Sequence, residues 1–478
     1  MSFNLKVYKW KTISLILWNT NFLKTLDDIL KLYSDYAWGL PLLILLIGGG
    51  LYLLLLSRFL PFRFIAHAIQ VLRGKYNDPN DPGEISHFQA LMTALSSTIG
   101  MGNIAGVAVA IHIGGPGAMF WMWVSGIIGM STKFFTCTLA VLYRGKDSDG
   151  KIQGGPMYFI MEGLGKHWKP LAIFFSIAGL IGALPVFNVN QLKQAINFIL
   201  LEPNGVEVND WTNLAIGIVL IVLTSIVILG GLNRISKTAE KLVPAMVILY
   251  FILVLIILGI YIEEVPYYLK LMFTDAFSAN FFKGDAFLGG TLGGLILLGI
   301  RRGAFSNEAG IGTAPMAHGA SKTDEPIREG LVAMLGPAID TLIVCTLTAL
   351  AILVTGVWKT TDVNGVSLTA TAFNDAMPGY GKYLLLICIA TFSISSLFTY
   401  SYYGSKCMSF LFGAKNKHYY NYLYIASIVM AVITPLPMML NLIDGTFALM
   451  AIPTMTATLI LAPKVITEFK GYINRLKA

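Results

Sequence analysis

Ser96-Ser97-Thr98-Ile99-Gly100-Met101-Gly102-Asn103 sets a glycine-broken polar patch inside a run of residues otherwise apolar enough to cross a bilayer. The hydrocarbon core holds no water to satisfy exposed backbone N–H and C=O groups, so non-helical backbone persists there only where it lines a cavity or holds a ligand. A half-helix ending near Ile99 presents unpaired carbonyls, and one beginning near Asn103 presents unpaired N–H groups at the positive end of its dipole. The carbonyls of Ser96, Thr98 and Ile99 suit a cation. The N–H groups of Met101 and Gly102 suit a carboxylate, and the glycines let a ligand reach the backbone. Together they fit an amino acid beside a sodium ion. The competing explanation is a packing notch, since Ser97, Gly102 and Gly106 are small enough to let helices approach closely.

Outward from this patch the chain reads as an integral membrane protein. It is 55% hydrophobic and 13% charged, about half the charged share of a soluble protein, with a mean hydropathy of +0.69. Apolar segments recur from 38 to 462 with no polar linker long enough to divide them between separate cores, which predicts one membrane domain. Eleven segments are candidate spans: 37–57, 86–113, 117–143, 170–199, 213–231, 239–262, 287–317, 328–356, 380–410, 419–436 and 438–462. Alternate loops are rich in Lys and Arg, from Arg58, Arg63 and Arg73 through Arg144, Arg234 and Lys406 to Lys464. That bias predicts a cytoplasmic C-terminus and an external N-terminus in the cell membrane. The net charge of +8 is spread over these loops instead of forming one basic face, so it marks topology and not nucleic-acid binding. Lys6, Lys9, Lys11, Lys24 and Lys31 oppose the rule; residues 1–36 are read as an external interfacial helix, with 7–23 as an additional span the alternative. No cleavable signal pattern is present near Met1, and the four cysteines show neither metal-site nor disulfide spacing.

The patch has an echo. The segment from about 286 is interrupted by Gly299-Ile300-Arg301-Arg302-Gly303, and each interrupted segment is followed by four more spans. Two five-helix blocks whose first members are broken point to an inverted-repeat secondary transporter. The expected divisions are 1–36, an extra helix and loop at 37–85, a first repeat at 86–262, an external connection at 263–286, a second repeat at 287–462 and a tail at 463–478. Ser395 and Ser396, within a hydroxyl-rich stretch of 380–410, offer hard oxygens to a cation, although serines in membrane helices also bond their own backbone. Gln191 is a candidate on a cavity wall or a residue wetted at the interface. Arg301 and Arg302 lie in a membrane segment and are expected to pair with Glu308 or Asp340 as a gate or strut, with Asp340 or Glu308 as a proton carrier the rival role. No His-Glu-x-x-His motif and no third glycine at dinucleotide-binding spacing follow, so no enzyme is indicated.

These residues resemble a known family, the alanine or glycine:cation symporters of the amino acid–polyamine–organocation superfamily. The resemblance is carried by Gly100-Met101-Gly102-Asn103-Ile104-Ala105-Gly106, Gly114-Gly115-Pro116-Gly117, Gly154-Gly155-Pro156-Met157-Tyr158, Arg302-Gly303-Ala304-Phe305-Ser306-Asn307-Glu308-Ala309-Gly310 and Tyr402-Tyr403-Gly404. It implies an all-α, leucine-transporter-like core of two inverted five-helix repeats after one extra helix, and sodium-coupled import of a small neutral amino acid. Proton coupling on the same scaffold is the alternative. Sodium is the coupling ion and no other cofactor, nucleic acid or obligate protein partner is implied; the bilayer is the surrounding medium. The candidate sodium residues are Ser96, Ile99, Asn103, Ser395 and Ser396. The candidate substrate residues are Thr98, Gly100, Met101, Gly102, Gln191, Gly299, Ile300 and Tyr400. Met101 stands where the family usually has a small hydroxyl residue, Thr399 where it has glycine and Tyr400 where it has tryptophan.

Overall fold

The computed structural model describes residues 20–277, 292–434 and 436–477. Residues 1–19 of the expected external segment and 278–286 of the expected connection lie outside the described residues, as does the start of the second block, 287–291. Numbering only the long helices and the halves of broken ones, the chain runs α1 Thr20–Ala37, α2 Leu40–Leu56, α3 His87–Thr98, α4 Gly102–Gly114, α5 Gly117–Leu142, α6 Lys169–Gly182, α7 Val186–Ile196 and α8 Asp210–Ile228. It continues with α9 Gly231–Ile260, α10 Leu292–Asn307, α11 Thr313–His318, α12 Pro326–Val354, α13 Gly381–Phe412, α14 Lys417–Ile433 and α15 Leu436–Lys477. The only strands among the described residues are the short pair Gly145–Lys146 and Ile152–Gln153. The protein is all-α and multi-pass: among the described residues 7 helices are long and apolar enough to span, or up to 9 with two bent pairs. The shorter α10 and α14 lie where two more of the eleven expected spans were placed.

Ser86 starts α3 by a reciprocal cap. Its hydroxyl accepts the Gln89 N–H and its own N–H is accepted by the Gln89 side chain, at 3.2 and 3.1 Å. The helix ends at Ile99, where ψ is 88°, and α4 leaves at 51° to it. The break therefore falls where the sequence places it. The second break does not. Residues 292–307 are one continuous helix through Gly299, Ile300, Arg301, Arg302 and Gly303, and the backbone turns only at Glu308, Gly310 and Gly312, with φ of 53°, 84° and 105°. The reason is packing. A Cβ at Gly299 would sit 2.5 Å from Trp121 Cβ, and one at Gly303 would sit 2.8 Å from Ser125 Cβ, so these glycines bring α10 against α5.

This contact makes α5 the central post, with 89% of its apolar window buried, against 22% for α8 at the periphery. On α8, Ile218, Val219, Val222 and Ile226 are exposed, and Ile248, Ile252 and Leu255 continue the belt on α9. Such a surface is suited to acyl chains. The described portion of the N-terminal segment, α1, packs on α15, where Trp38 Nε1–H donates to the Asp444 carbonyl at 2.8 Å.

Candidate functional site

The two breaks face each other. Asn103 Oδ1 accepts the Gly100 N–H at 2.9 Å, and its Nδ2–H donates to Asp340 Oδ1 at 2.6 Å. Asp340 Oδ2 accepts the hydroxyls of Ser306 at 2.9 Å and Thr341 at 2.7 Å. One buried carboxylate on α12 thus ties the first break, through Asn103, to the end of α10. Asn307 completes the second break: its Oδ1 accepts the Ala309 N–H at 3.0 Å and its amide donates to Thr341.

Glu308 holds a left-handed conformation that costs a side-chain-bearing residue about 1–2 kcal/mol. Its carboxylate accepts hydrogen bonds from Tyr400 and Thr313, and from Ser97 at 3.5 Å. These bonds aim Glu308 across the gap between the breaks.

Between them is a small cavity of about 20 Å³, room for about one water. Thr98, Met101 and Gly102 from the first break, Glu308 from the second and Tyr400 from α13 line it, with Asn188 on the α7 side. Phe305 and Phe447 cover it with centroids 5.7 Å apart, and Phe187 lies edge-on to Phe305 at 5.3 Å. A space of about 20 Å³ is too small for an amino acid, so this lining must move apart to admit one.

Next to the cavity, Ser96 Oγ–H donates to the Ser395 carbonyl at 2.7 Å, and Ser395 Oγ lies 3.5 Å from the Ser96 carbonyl. A Cβ on Gly100 would sit 2.7 Å from Ser396 Oγ. Ser96, Gly100, Ser395 and Ser396 are thus brought to one place, dense in neutral oxygens and fully buried, a donor set suited to a hard monovalent cation. Both serine hydroxyls also donate to the Phe392 carbonyl, at 2.9 and 3.0 Å. Ile99 is buried at the end of α3.

Other expected residues are elsewhere. Gln191 lies about one turn beyond Asn188, with its Oε1 near Gly365 and its amide donating to Gln194 at 3.3 Å. Gly299 and Ile300, eight or more residues before Glu308, lie about 12 Å or more along the helix from the break and do not line the cavity. Arg301 and Arg302 pair with neither Glu308 nor Asp340; their partner is Asp444 of α15, at 2.7 and 3.4 Å. Continuous helix carries both arginines away from Glu308, and Arg301 also reaches Ser34 at 2.6 Å and Asp35 at 3.6 Å on α1. Asp444 adjoins Ile443, which lines the cavity, so this charged cluster lies close to it in the chain. Phe187, Phe305, Phe447 and Asp444 were not singled out from sequence, yet an aspartate in the apolar run 438–462 was a readable sign.

The other ends of the broken helices are closed by a second buried cluster. Glu329 on α12 accepts N–H donation from His87 Nδ1 at the start of α3 and from His318 Nδ1 at the end of α11, and all three are at most 1% exposed. Arg144 crosses outside them, donating to the carbonyls of Gly319 at 2.9 Å, Thr323 at 2.8 Å and Pro82 at 3.1 Å. The strands of chain before α3 and after α11 are zipped by Lys322 N–H to the Ile85 carbonyl at 2.6 Å.

Two opposed helix breaks beside a small cavity in a multi-pass helical protein are the architecture of a membrane transporter. The sodium:alanine symporter family profile matches residues 23–478. The chain belongs to that family, whose members couple sodium to the symport of a small amino acid. It is 38% identical over 450 residues to the sodium/alanine symporter AgcS of Methanococcus maripaludis, covering 93% of this chain and 97% of that one. It is 33% identical to a probable sodium/glutamine symporter, GlnT, of Bacillus subtilis, over 95% and 92% of the two chains. Among solved structures, MhsT in complex with L-phenylalanine aligns with a TM-score of 0.56 at 12% identity, covering 81% of this chain and 99% of the other, which establishes a shared fold.

Proposed function

We propose that this chain imports alanine or glycine together with sodium by alternating access. It would do so as eleven spans in which 86–262 and 287–462 are inverted repeats, with the N-terminus outside and the C-terminus in the cytoplasm. The observation that carries the reading is the pair of opposed helix breaks joined through Asn103, Asp340 and Ser306 beside a small cavity. The substrate carboxylate would take the N–H groups at Met101 and Gly102, its ammonium would face Glu308, and Thr98 and Tyr400 would bound its side chain. Sodium would be held by the carbonyls of Ser96 and Ile99 with the hydroxyls of Ser395 and Ser396, while Asn103 keeps Gly100 in place. An ion there bridges α3 to α13 and favours the state closed around substrate, which is how binding becomes coupling. Arg301, Arg302 and Asp444 would then be the outer gate and the Glu329 cluster the inner one. Proton coupling through Asp340 is less well supported, because its carboxylate already accepts three side-chain hydrogen bonds.

Uptake of labelled alanine into proteoliposomes is expected to accelerate when an inward sodium gradient is imposed; equal rates with and without it defeat the coupling claim. Ser395→Ala with Ser396→Ala is expected to raise the half-saturating sodium concentration by about tenfold or more, the equivalent of losing about 1.4 kcal/mol of ion binding. Unchanged sodium activation removes these serines from the ion site.

A further inference from the structure

We propose that the start of α9 is a binding site for one anionic phospholipid, whose phosphate is held by Arg234, Lys237 and Lys241. These three residues, spaced three and four apart, form one exposed stripe of the helix. Beyond Lys241 the same stripe continues as Ala245, Ile248, Ile252 and Leu255, all exposed and all apolar. Two turns of cations followed by three of hydrocarbon match a molecule with an anionic head and acyl chains.

The stripe borders a groove of about 700 Å³ beside the α8–α9 turn, lined also by Asn233, Thr238 and Leu242. Gly230 shapes it. A Cβ there would press on the Arg234 side chain, so the glycine lets the guanidinium lie across the turn and donate to the Ile226 carbonyl at 2.7 Å. That bond uses one of the five guanidinium N–H groups. Among the described residues no carboxylate pairs with Arg234, Lys237 or Lys241, and the nearby Glu240 is taken by Gln89. Charge complementarity therefore calls for an anion, and the apolar continuation calls for one with acyl chains. A free phosphate or an acidic peptide segment satisfies the first demand and leaves Ala245 through Leu255 unexplained.

Occupancy would reach the transport machinery by a short route. Glu240, about a quarter-turn round the same helix from the stripe, accepts the Gln89 amide at 2.7 Å, and Gln89 forms the cap that starts α3. A lipid that steadies the first turns of α9 also steadies the inner half of the first broken helix. This consequence rests on the proposed function, whereas the binding site does not.

Native mass spectrometry of the purified full chain, titrated with phosphatidylglycerol or phosphatidylcholine, tests the site directly. Phosphatidylglycerol is expected to be preferred about tenfold, and Arg234→Gln with Lys237→Gln and Lys241→Gln is expected to abolish the preference. As a control for general charge, Lys166→Gln with Lys169→Gln on another loop leaves the preference intact. Equal binding of the two lipids, a preference that survives the triple substitution, or displacement of phosphatidylglycerol by inorganic phosphate at equal concentration overturns the proposal. In vesicles, sodium-driven uptake is expected to rise when phosphatidylglycerol is added to phosphatidylcholine, and not to rise for the triple variant. Uptake absent from both vesicle types sinks the proposed function while the lipid preference, read by mass, still stands.

Discussion

Glu329→Gln is expected to cut sodium-driven uptake by about a hundredfold while the protein still folds into the membrane, because removing one charge from a buried cluster costs about 3 kcal/mol and each 1.4 kcal/mol is tenfold in an equilibrium. The carboxylate accepts one imidazole N–H on each oxygen, from His87 and from His318, and both Nε2 atoms are buried without a partner. An amide in its place has a single acceptor oxygen and no charge, and its NH2 group can donate to one of the two rings only if that imidazole moves its proton to the buried, unpartnered Nε2. The loss falls on the closed state. His87 starts α3 and His318 ends α11, so in the proposed gating both helices would separate from α12 at this end to open the cavity there. Weakening the cluster shifts the population toward that opening, so substrate and ion are released before they are trapped. Ala90 is buried on α3 and the four native cysteines are buried, so a cysteine introduced at Ala90 reports the change. Its labelling by a water-soluble thiol reagent is expected to speed up in the Glu329→Gln background. Uptake within twofold of the parent together with unchanged labelling defeats the gating role of Glu329.

How much of this was legible in the chain differs from one cluster to the next. The first break was readable because hydroxyls and glycines between residues 96 and 103 interrupt an apolar run, and few structures other than a ligand site repay that cost. The second break was misplaced toward Gly299 and Gly303, since sequence reveals a glycine and not whether its missing Cβ serves a turn or a close helix contact. Here those two serve contact with α5, and the turn uses Gly310, Gly312 and the non-glycine Glu308. The arginine pairing went astray for the same reason, because a break between Arg302 and Glu308 would have allowed them to meet. Ser395 was brought to Ser96 from 299 residues away, a proximity that hydroxyl chemistry anticipates and spacing does not. The His87–Glu329–His318 cluster had no sequence signature: Glu329 is 242 residues from His87, and neither histidine stands in a ligand motif.

Asp340→Asn is expected to abolish most sodium-driven uptake and to lower stability by about 2–3 kcal/mol, the cost of leaving a buried donor that had a charged acceptor without one. Asparagine offers one acceptor oxygen to the three side-chain donors Asn103, Ser306 and Thr341, and its own NH2 group must point at one of them. If Asn103 is the one displaced, its Oδ1 also leaves the Gly100 N–H, and the first break loses the bond that fixes its backbone. Sodium binding should suffer beyond the general loss of stability. A ligand that binds only the folded site raises the melting temperature by mass action, so the parent protein is expected to gain thermal stability when sodium replaces potassium. Asp340→Asn is expected to lose that gain even at temperatures where it remains folded, and Thr341→Ala, which removes a donor without disturbing Asn103, is expected to keep it. The pair of variants separates a strut that shapes the ion site from one that merely holds two helices together. A sodium-dependent gain equal to the parent's in Asp340→Asn refutes the link from Asp340 to the ion. Uptake that persists in Asp340→Asn but no longer responds to an imposed pH gradient returns Asp340 to the role of proton carrier.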